Sequence, residues 1–213
     1  MNCHICGKGT ESFVHEKTAI IYYHCKACEF MFKSPDLYQD LETQKARYNL
    51  HENNEEDEGY IAYFKRFLDF TLPLVGKPAT ALDFGCGRTS LLAKLLEIEG
   101  IICDYYDPLY HPDNLLDGMK YDLIVSTEVF EHLHDPKEVF EMLLSKLHRG
   151  GYLAIQTQFH PIETEAFKKW YYHQDPTHIV FFTAQSFKVL SEIFGSTYVA
   201  DNAKNIVILK KNV

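Results

Sequence analysis

No apolar run in this 213-residue chain approaches the roughly 18 to 20 residues that a membrane span needs. The opening residues, MNCHICGKGT, show no basic segment leading into an apolar one, so no secretory signal is read and a cytoplasmic protein is expected. Positive charge is scarce: 21 Lys and Arg stand against 30 Asp and Glu, for a net charge of −9. That deficit argues against a broad nucleic-acid surface, which needs clustered cations to meet phosphates. A reducing compartment would supply no disulfide scaffold, so the six cysteines are read for metal binding or chemistry. What the chain does have is apolar content: 46% of residues, enough for one sizeable core and a small appendage.

Four of the cysteines form a pattern. Cys3 and Cys6 are one C-x2-C pair, Cys25 and Cys28 another, with 18 residues between the pairs. Each C-x2-C turn points two thiolates at one ion, and two such turns complete a tetrahedron. A structural Zn²⁺ is therefore expected, with no open coordination position. Residues 1–35 carry four lysines against three glutamates, +1; four thiolates around one Zn²⁺ contribute −2 and leave −1. That is no footprint for phosphate, so partner docking or a share of a substrate pocket is the expected use of such a ribbon.

From residue 58 onward, helical and strand-like patterns alternate. Residues 59–75 space their apolar side chains as an amphipathic helix. Strands are expected at 81–84, 101–106, 121–126 and 152–157, and helices at 90–98, from Asp135 to about 147, and at 184–194. Asp135-Pro136 and Thr183 read as helix starts, and Phe182 and Phe187 as a hydrophobic staple. Two short final strands, 197–200 and 206–210, are separated by only a polar loop, which implies an antiparallel hairpin. The order predicts a Rossmann-like, doubly wound, mostly parallel α/β sheet with a reversed C-terminal strand and a small N-terminal ribbon. The expected organisation is a zinc ribbon over 1–36, a linker or lid over 37–58, and the main domain over 59–213.

In such sheets ligands bind beyond the carboxyl ends of the strands. Those ends carry Asp83, Gly85, Cys86 and Gly87, then Asp107-Pro108, then Thr127-Glu128 followed by Glu131 and His132. Gly85 and Gly87 would let the backbone approach a nucleotide, but a dinucleotide G-x-G-x-x-G would need a third glycine where Ser90 stands. Asp107, twenty residues after Gly87, can accept two ribose hydroxyls. Cys86 and Cys103 read as buried thiols.

The stretches ALDFGCGRTSLLAKLL, YYDP, YDLIVSTEVFEHLHDP and HRGGYLAIQT, across about residues 80–157, resemble the class I S-adenosylmethionine-dependent methyltransferases. The resemblance is nearest to the small bacterial ubiquinone-type or general methylases. Sugar C-methyltransferases, which also carry an N-terminal Cys-rich zinc module, are a looser match. The resemblance implies S-adenosylmethionine as cofactor. It places Asp83, Gly85 and Gly87, with Cys86, at the methionine end, Asp107 and Pro108 at the ribose, and Thr127 and Glu128 beside the cofactor. Tyr48, His51 and Tyr60 would belong to a lid. Two departures stand out. Thr89 replaces a frequent glycine, and only thirteen residues, 108–120, separate two strands, which leaves little room for a helix and a third strand. Adenine contacts within Asp113–Asp117 are therefore left unassigned.

Displacement at a sulfonium depends on alignment, which can supply roughly 7 to 11 kcal/mol. Most oxygen, nitrogen or carbon nucleophiles must also lose a proton to a nearby base. The stretch KWYYHQDPTHIVFF, residues 169–182, is the expected acceptor loop. Asp175 is expected to orient His178 as base, with Tyr172 and His132 as further catalytic candidates; Glu131 and His160 follow. His134 and Asp135 read as structural. The acceptor is expected to be a small molecule, with its reacting atom and the oligomeric state left open. Two alternatives compete: an RNA or protein methyltransferase that docks through the ribbon, and a non-catalytic protein that keeps the fold. An NAD-dependent oxidoreductase ranks last, because of Ser90.

Overall fold

The computed structural model describes residues 1–40, 43, 45, 57–113 and 118–212. Near the N-terminus run three short strands, β1 (Glu11–Val14), β2 (Ile21–His24) and β3 (Met31–Lys33). After them come helix α1 (Glu58–Val75), β4 (Thr80–Phe84), α2 (Leu91–Ile98), β5 (Ile102–Tyr106) and β6 (Tyr121–Thr127). The chain continues through α3 (Pro136–Ser145), β7 (Leu147–Gln156), α4 (Thr164–Lys169), β8 (Val180–Phe181), α5 (Ala184–Ile193), β9 (Thr197–Asp201) and β10 (Ile206–Lys210).

Six strands form the central sheet in the order β5-β4-β6-β7-β10-β9. The first four are parallel, while β10 runs antiparallel to both β7 and β9. This is the Rossmann-like α/β arrangement with a reversed last strand. The middle strands are buried on both faces, so they read as continuous apolar runs: Leu123, Ile124 and Val125 of β6 are all 0% exposed. Helices α1 and α2 cover one face through Phe64, Phe67, Leu92 and Leu96. Helices α3 and α5 cover the other through Phe140, Leu143, Phe187 and Leu190. Among the described residues of 107–120 there is a turn, closed by a bridge between Asp107 and His111, and no strand. Strand β5 is therefore the sheet edge, as the short spacing implied. No helix among the described residues is long and apolar enough to cross a membrane.

The helix starts follow local chemistry. Asp57 accepts from the amides of Gly59 (2.7 Å) and Tyr60 (3.2 Å), and Asp135 from that of Glu138 (2.9 Å). Thr183 and Ser186 form a reciprocal capping box, and Phe182 stacks on Phe187 with ring centroids 4.9 Å apart.

Two features differ from the sequence expectations. Helix α3 stops at Ser145 and β7 starts at Leu147, so the stretch Leu147–Gly150, expected to end the helix, already belongs to a ten-residue strand. The second is β8. The N-terminal sheet has the order β1-β2-β3-β8, with Met31 opposite Phe181 and Phe32 opposite Val180. A two-residue strand has no periodicity to read, and its partner lies about 150 residues away in sequence, so only the fold reveals it. The ribbon is thereby fused to the main core: Cys3, Cys25, Cys28, Phe30 and Phe32 share one apolar cluster with Phe130, Phe182 and Phe187.

Thr183 ties these parts together, because its hydroxyl also donates to Glu29 Oε2 at 2.8 Å. Thr183→Ala is expected to lower stability by about 1–2 kcal/mol, the usual cost of a lost cap, as read by urea denaturation. A change below about 0.3 kcal/mol would show that the cap is not coupled to the ribbon.

Candidate functional site

A cavity of about 1190 Å³ opens at the carboxyl ends of β4, β5 and β6. Its floor is the turn after β4. Gly85 has φ +80°, and a Cβ placed there would lie 2.1 Å from Val129 Cγ2, so both backbone shape and space demand glycine. Gly87 is also left-handed, at φ +66°. Position 90 needs the same kind of backbone: Ser90 sits at φ 46°, in the region that a third glycine would favour. The Gly85 and Cys86 amides both donate to Tyr106 O (2.8 and 3.1 Å), which fixes the turn to the end of β5.

Asp107 braces this turn from the side. Its Oδ2 accepts from the Gly87 amide (3.0 Å), and its Oδ1 from the amides of Leu109 (2.8 Å) and Tyr110 (3.1 Å). A carboxylate has about four acceptor positions, so capacity for a ligand hydroxyl remains. Asp83 is 1% exposed, and neither of its oxygens has a hydrogen-bond partner among the described residues. Burial pushes its carboxyl up to about 7. Cys86 and Cys103 are both buried, and desolvation raises both thiols far above neutrality.

At the end of β6 stands Glu128, a non-glycine residue at φ 54°. This conformation costs on the order of 1 kcal/mol and aims the side chain into the cavity wall. Its Oε1 accepts from the Tyr63 hydroxyl (2.5 Å) and its Oε2 from the Tyr172 hydroxyl (2.8 Å). Tyr172 also bonds Glu131 Oε1. One phenolic proton thus faces two buried carboxyls. Burial, and then repulsion from Glu131, push Glu128 up to about 8; burial raises Glu131 as well.

The opposite wall comes from residues 171–178. His178 and His132 face each other with ring centroids 4.7 Å apart. His178 Nδ1 donates to Tyr172 O (2.7 Å), and His132 Nδ1 donates to Thr177 O (2.9 Å). Burial holds both imidazoles below their usual range, His178 down to about 3. The structure therefore gives His178 a backbone carbonyl at Nδ1 where the sequence suggested Asp175. The Asp175 carboxylate instead accepts from the amide (2.9 Å) and hydroxyl (2.6 Å) of Thr177 and shapes the loop.

Of the residues singled out in sequence, Tyr60, Asp83, Gly85, Cys86, Gly87, Asp107, Pro108, Thr127 and Glu128 line the cavity on one side. His132, Tyr172, Asp175 and His178 line it on the other. His160 lies elsewhere, bonded to Glu29 O (2.6 Å) and Pro161 O (2.9 Å), and anchors the ribbon. Asp135 is a helix cap, whereas His134 reaches the cavity rim. Tyr48, His51 and the Asn114–Asp117 part of the unassigned stretch lie outside the described residues. Sequence reading missed Tyr63, Tyr110 and Gln158 in the lining, while Tyr171 falls within the loop it singled out. Tyr63 carried a usable signal, since it falls one turn after Tyr60 on the same helix face.

One property of the lining stands out. It contains Asp83, Asp107, Glu128 and Asp175 but, among the described residues, no lysine or arginine. Six aromatic rings among the described residues, Tyr60, Tyr63, Phe64, Tyr110, Tyr171 and Tyr172, add π faces. Carboxylates and π faces together favour a cationic ligand and disfavour a diphosphate.

A second set of donors lies in the ribbon. Cys3 Sγ and Cys28 Sγ are 3.5 Å apart, Cys6 Sγ and Cys25 Sγ are 3.4 Å apart, and all four sulfurs lie within 4.8 Å of one another. Sulfurs bound at about 2.3 Å in a tetrahedron would be about 3.8 Å apart, so the set fits one Zn²⁺.

Residues 54–200 match the family model described as a methyltransferase domain. Among solved structures, the fold is similar to an O-methyltransferase family protein from Burkholderia thailandensis (TM-score 0.56, 13% identity, 79% of this chain and 63% of that one). The chain thus spans less than two thirds of the length of that protein. It is also similar to the N-methyltransferase NodS from Bradyrhizobium japonicum WM9 in complex with S-adenosyl-L-homocysteine (0.51, 16%, 82% and 98%). A third likeness is to human N-acetylserotonin methyltransferase in complex with S-adenosylmethionine (0.55, 12%, 73% and 53%). At these identities the likeness is one of fold. No curated protein matches the chain in sequence.

The turn that shapes the cavity floor gives a direct test. Gly85→Ala is expected to cost roughly 3 kcal/mol or more, from overpacking against Val129 and from left-handed strain. Adding Val129→Ala removes the collision but keeps the strain, so thermal denaturation of the double variant should recover part of the loss. A double variant no more stable than Gly85→Ala would contradict the contact.

Proposed function

The chain belongs to the methyltransferase-domain family, and from that premise we propose that it transfers a methyl group from S-adenosylmethionine to a small-molecule acceptor. The observation that carries this reading is the cavity lined by acids and aromatic rings and, among the described residues, by no lysine or arginine. S-Adenosylmethionine brings a sulfonium and an ammonium group, and it supplies an electrophilic methyl. A dinucleotide would bring its diphosphate against the same carboxylates.

The proposed roles follow the lining. Gly85 and Gly87 keep the backbone low enough for the amino-acid end, and the buried, unpartnered Asp83 carboxyl meets the ammonium side. Asp107, with acceptor capacity to spare, takes the ribose hydroxyls beside Pro108. Glu128 and Thr127 border the cofactor at the end of β6, and Tyr60 closes it from α1. His132, Tyr172, Asp175 and His178 form the wall that holds and activates the acceptor. Cys3, Cys6, Cys25 and Cys28 are read as ligands of one structural Zn²⁺, within a ribbon over about residues 1–36. RNA or protein docking through that ribbon has less support, because three of its four thiols are buried against the main core.

Calorimetry tests the cofactor. S-Adenosylmethionine should bind, and Asp107→Ala should weaken it by roughly ten- to a hundredfold, the loss of two charge-assisted hydrogen bonds. Asp83 and Glu128, held up at about 7 and 8, are largely neutral at pH 6 and ionise as pH rises. Negative charge therefore grows in the cavity, and affinity for the cation should rise roughly three- to tenfold from pH 6 to 7.5, with protons released on binding. The gain stops near pH 8, where the ligand amino group itself loses charge, at about 7.7–8.0 for an α-amine. No binding at any pH would overturn the reading.

The acceptor wall is tested through His178. His178→Ala should lower methyl transfer, read as S-adenosylhomocysteine release across a panel of small acceptors, by roughly 10²- to 10⁴-fold. Cofactor affinity should stay within about threefold, because His178 stands on the far wall. Equal loss of both would place His178 in cofactor binding instead.

A further inference from the structure

We propose that Glu131, His132 and His178 form a second metal site, for a divalent first-row cation, on the acceptor side of the cavity. One donor atom from each residue falls in a set whose members all lie within 4.8 Å of one another. His132 Nε2 is 3.8 Å from Glu131 Oε1. Ligands bound at about 2.1 Å to one ion sit roughly 3 to 3.5 Å apart, so closing the set needs side-chain shifts of about 1 Å.

The outer hydrogen bonds are those of metal-binding imidazoles. A carbonyl oxygen can only accept, so Nδ1 of His132 carries its proton toward Thr177 O, and Nδ1 of His178 carries its proton toward Tyr172 O. In a neutral ring that tautomer turns the lone pair of each Nε2 inward. Pinning the far nitrogen to a backbone carbonyl is how proteins orient histidine ligands. Glu131 completes the set from behind. It is 0% exposed, its Oε2 has no hydrogen-bond partner among the described residues, and the Tyr172 hydroxyl holds its Oε1. Among the described residues, no lysine or arginine of the cavity lining stands beside this carboxylate. A divalent ion would.

Two imidazoles and one carboxylate leave coordination positions open, as in catalytic sites of this donor set. His132 and His178 line the cavity, so the open positions face it. The ligand class follows: an acceptor with an oxygen donor, a hydroxyl in the first instance. This part rests on the methyltransferase reading; ion binding itself does not. The hydroxyl proton would pass to water. The oxygen pair would form the O–CH₃ bond as the S–CH₃ bond breaks, and the sulfur would leave as a thioether.

The test is a metal count. Full-length protein is dialysed against excess Zn²⁺ and then against metal-free buffer, and zinc per chain is measured for wild type, Glu131→Gln and His132→Ala/His178→Ala. Wild type should hold one zinc more per chain than the double variant, whatever the ribbon retains. Glu131→Gln keeps the shape of the side chain and should weaken the additional ion roughly ten- to a hundredfold. Equal counts in all three proteins overturn the proposal, whether the shared number is one or two. S-Adenosylmethionine calorimetry on the same samples separates the two readings. Cofactor binding without the extra zinc sinks only the metal site, and extra zinc without cofactor binding sinks only the cofactor assignment.

Discussion

The arrangement depends on one short pairing, that of β3 with β8. Through it the N-terminal ribbon stops being an appendage and becomes a wall of the main core. The Lys33 amide donates to Ile179 O (2.8 Å), and the Ile179 amide donates in turn to Glu131 O (2.8 Å). A continuous ladder thus runs from the ribbon, across the acceptor loop, to the turn after β6. The Lys33 side chain reinforces it: though 2% exposed, its ammonium reaches Asp175 O at 2.9 Å, and burial brings it down to about 8. A buried ammonium is costly unless it is bonded or paired, and here the Asp175 carbonyl and the charge of the Asp175 carboxylate offset part of that cost.

The second constraint is electrostatic. Asp83, Asp107, Glu128 and Asp175 line the cavity with no lysine or arginine among the described lining residues, and burial is the main cause that pushes Asp83 and Glu128 up to about 7 and 8. Structural carboxyls are usually paired with a cation or neutralised by solvent. Asp107 and Asp175 are met by amides and a hydroxyl of their own loops, so it is Asp83, with no hydrogen-bond partner among the described residues, that is left open to what enters. The proposed sulfonium-bearing cofactor on the Asp83 side and the proposed divalent ion on the Glu131 side would both bring positive charge to buried carboxyls. They differ in which wall they serve.

Much of this was legible in the sequence, for physical reasons. Short apolar runs and period-3.6 patterns located the sheet and its main helices, because those elements are set by local burial. Gly85 and Gly87 announced the turn that Val129 and a left-handed backbone require, whereas Asp107, read in sequence only as a ribose acceptor, is shown by the fold to brace that turn as well. The C-x2-C pairs announced a thiolate cluster. What stayed hidden depended on long-range geometry. Strand β8 is two residues long and owes its existence to β3. The pairing suggested for Asp175 and His178 came from nearness in sequence, yet a tight loop turned Asp175 onto Thr177 and gave His178 a carbonyl. Glu131 and His132 were candidates from their place after β6, but nothing in the sequence told their environments apart. The fold buries the one and turns the other across to His178.

The two walls of the cavity therefore have different dependencies. The cofactor wall is made by β4, β5, β6 and α1, and its bracing contacts, Gly87 to Asp107 and Tyr63 to Glu128, stay inside the main sheet and its cover. The wall proposed to face the acceptor hangs from the ribbon: Tyr22 donates to His173 Nδ1 (3.0 Å), His15 donates to Lys168 O (3.0 Å), and Ser186 donates to Cys28 O (2.9 Å) beside the second C-x2-C turn. A four-thiolate zinc contributes roughly 10 to 16 kcal/mol to the folding of a small module. In this chain that free energy would reach past the ribbon, along β3, into the loop that faces the acceptor. Zinc without an open coordination site would then govern turnover indirectly, by fixing where the acceptor wall stands relative to a cofactor wall that needs no metal of its own.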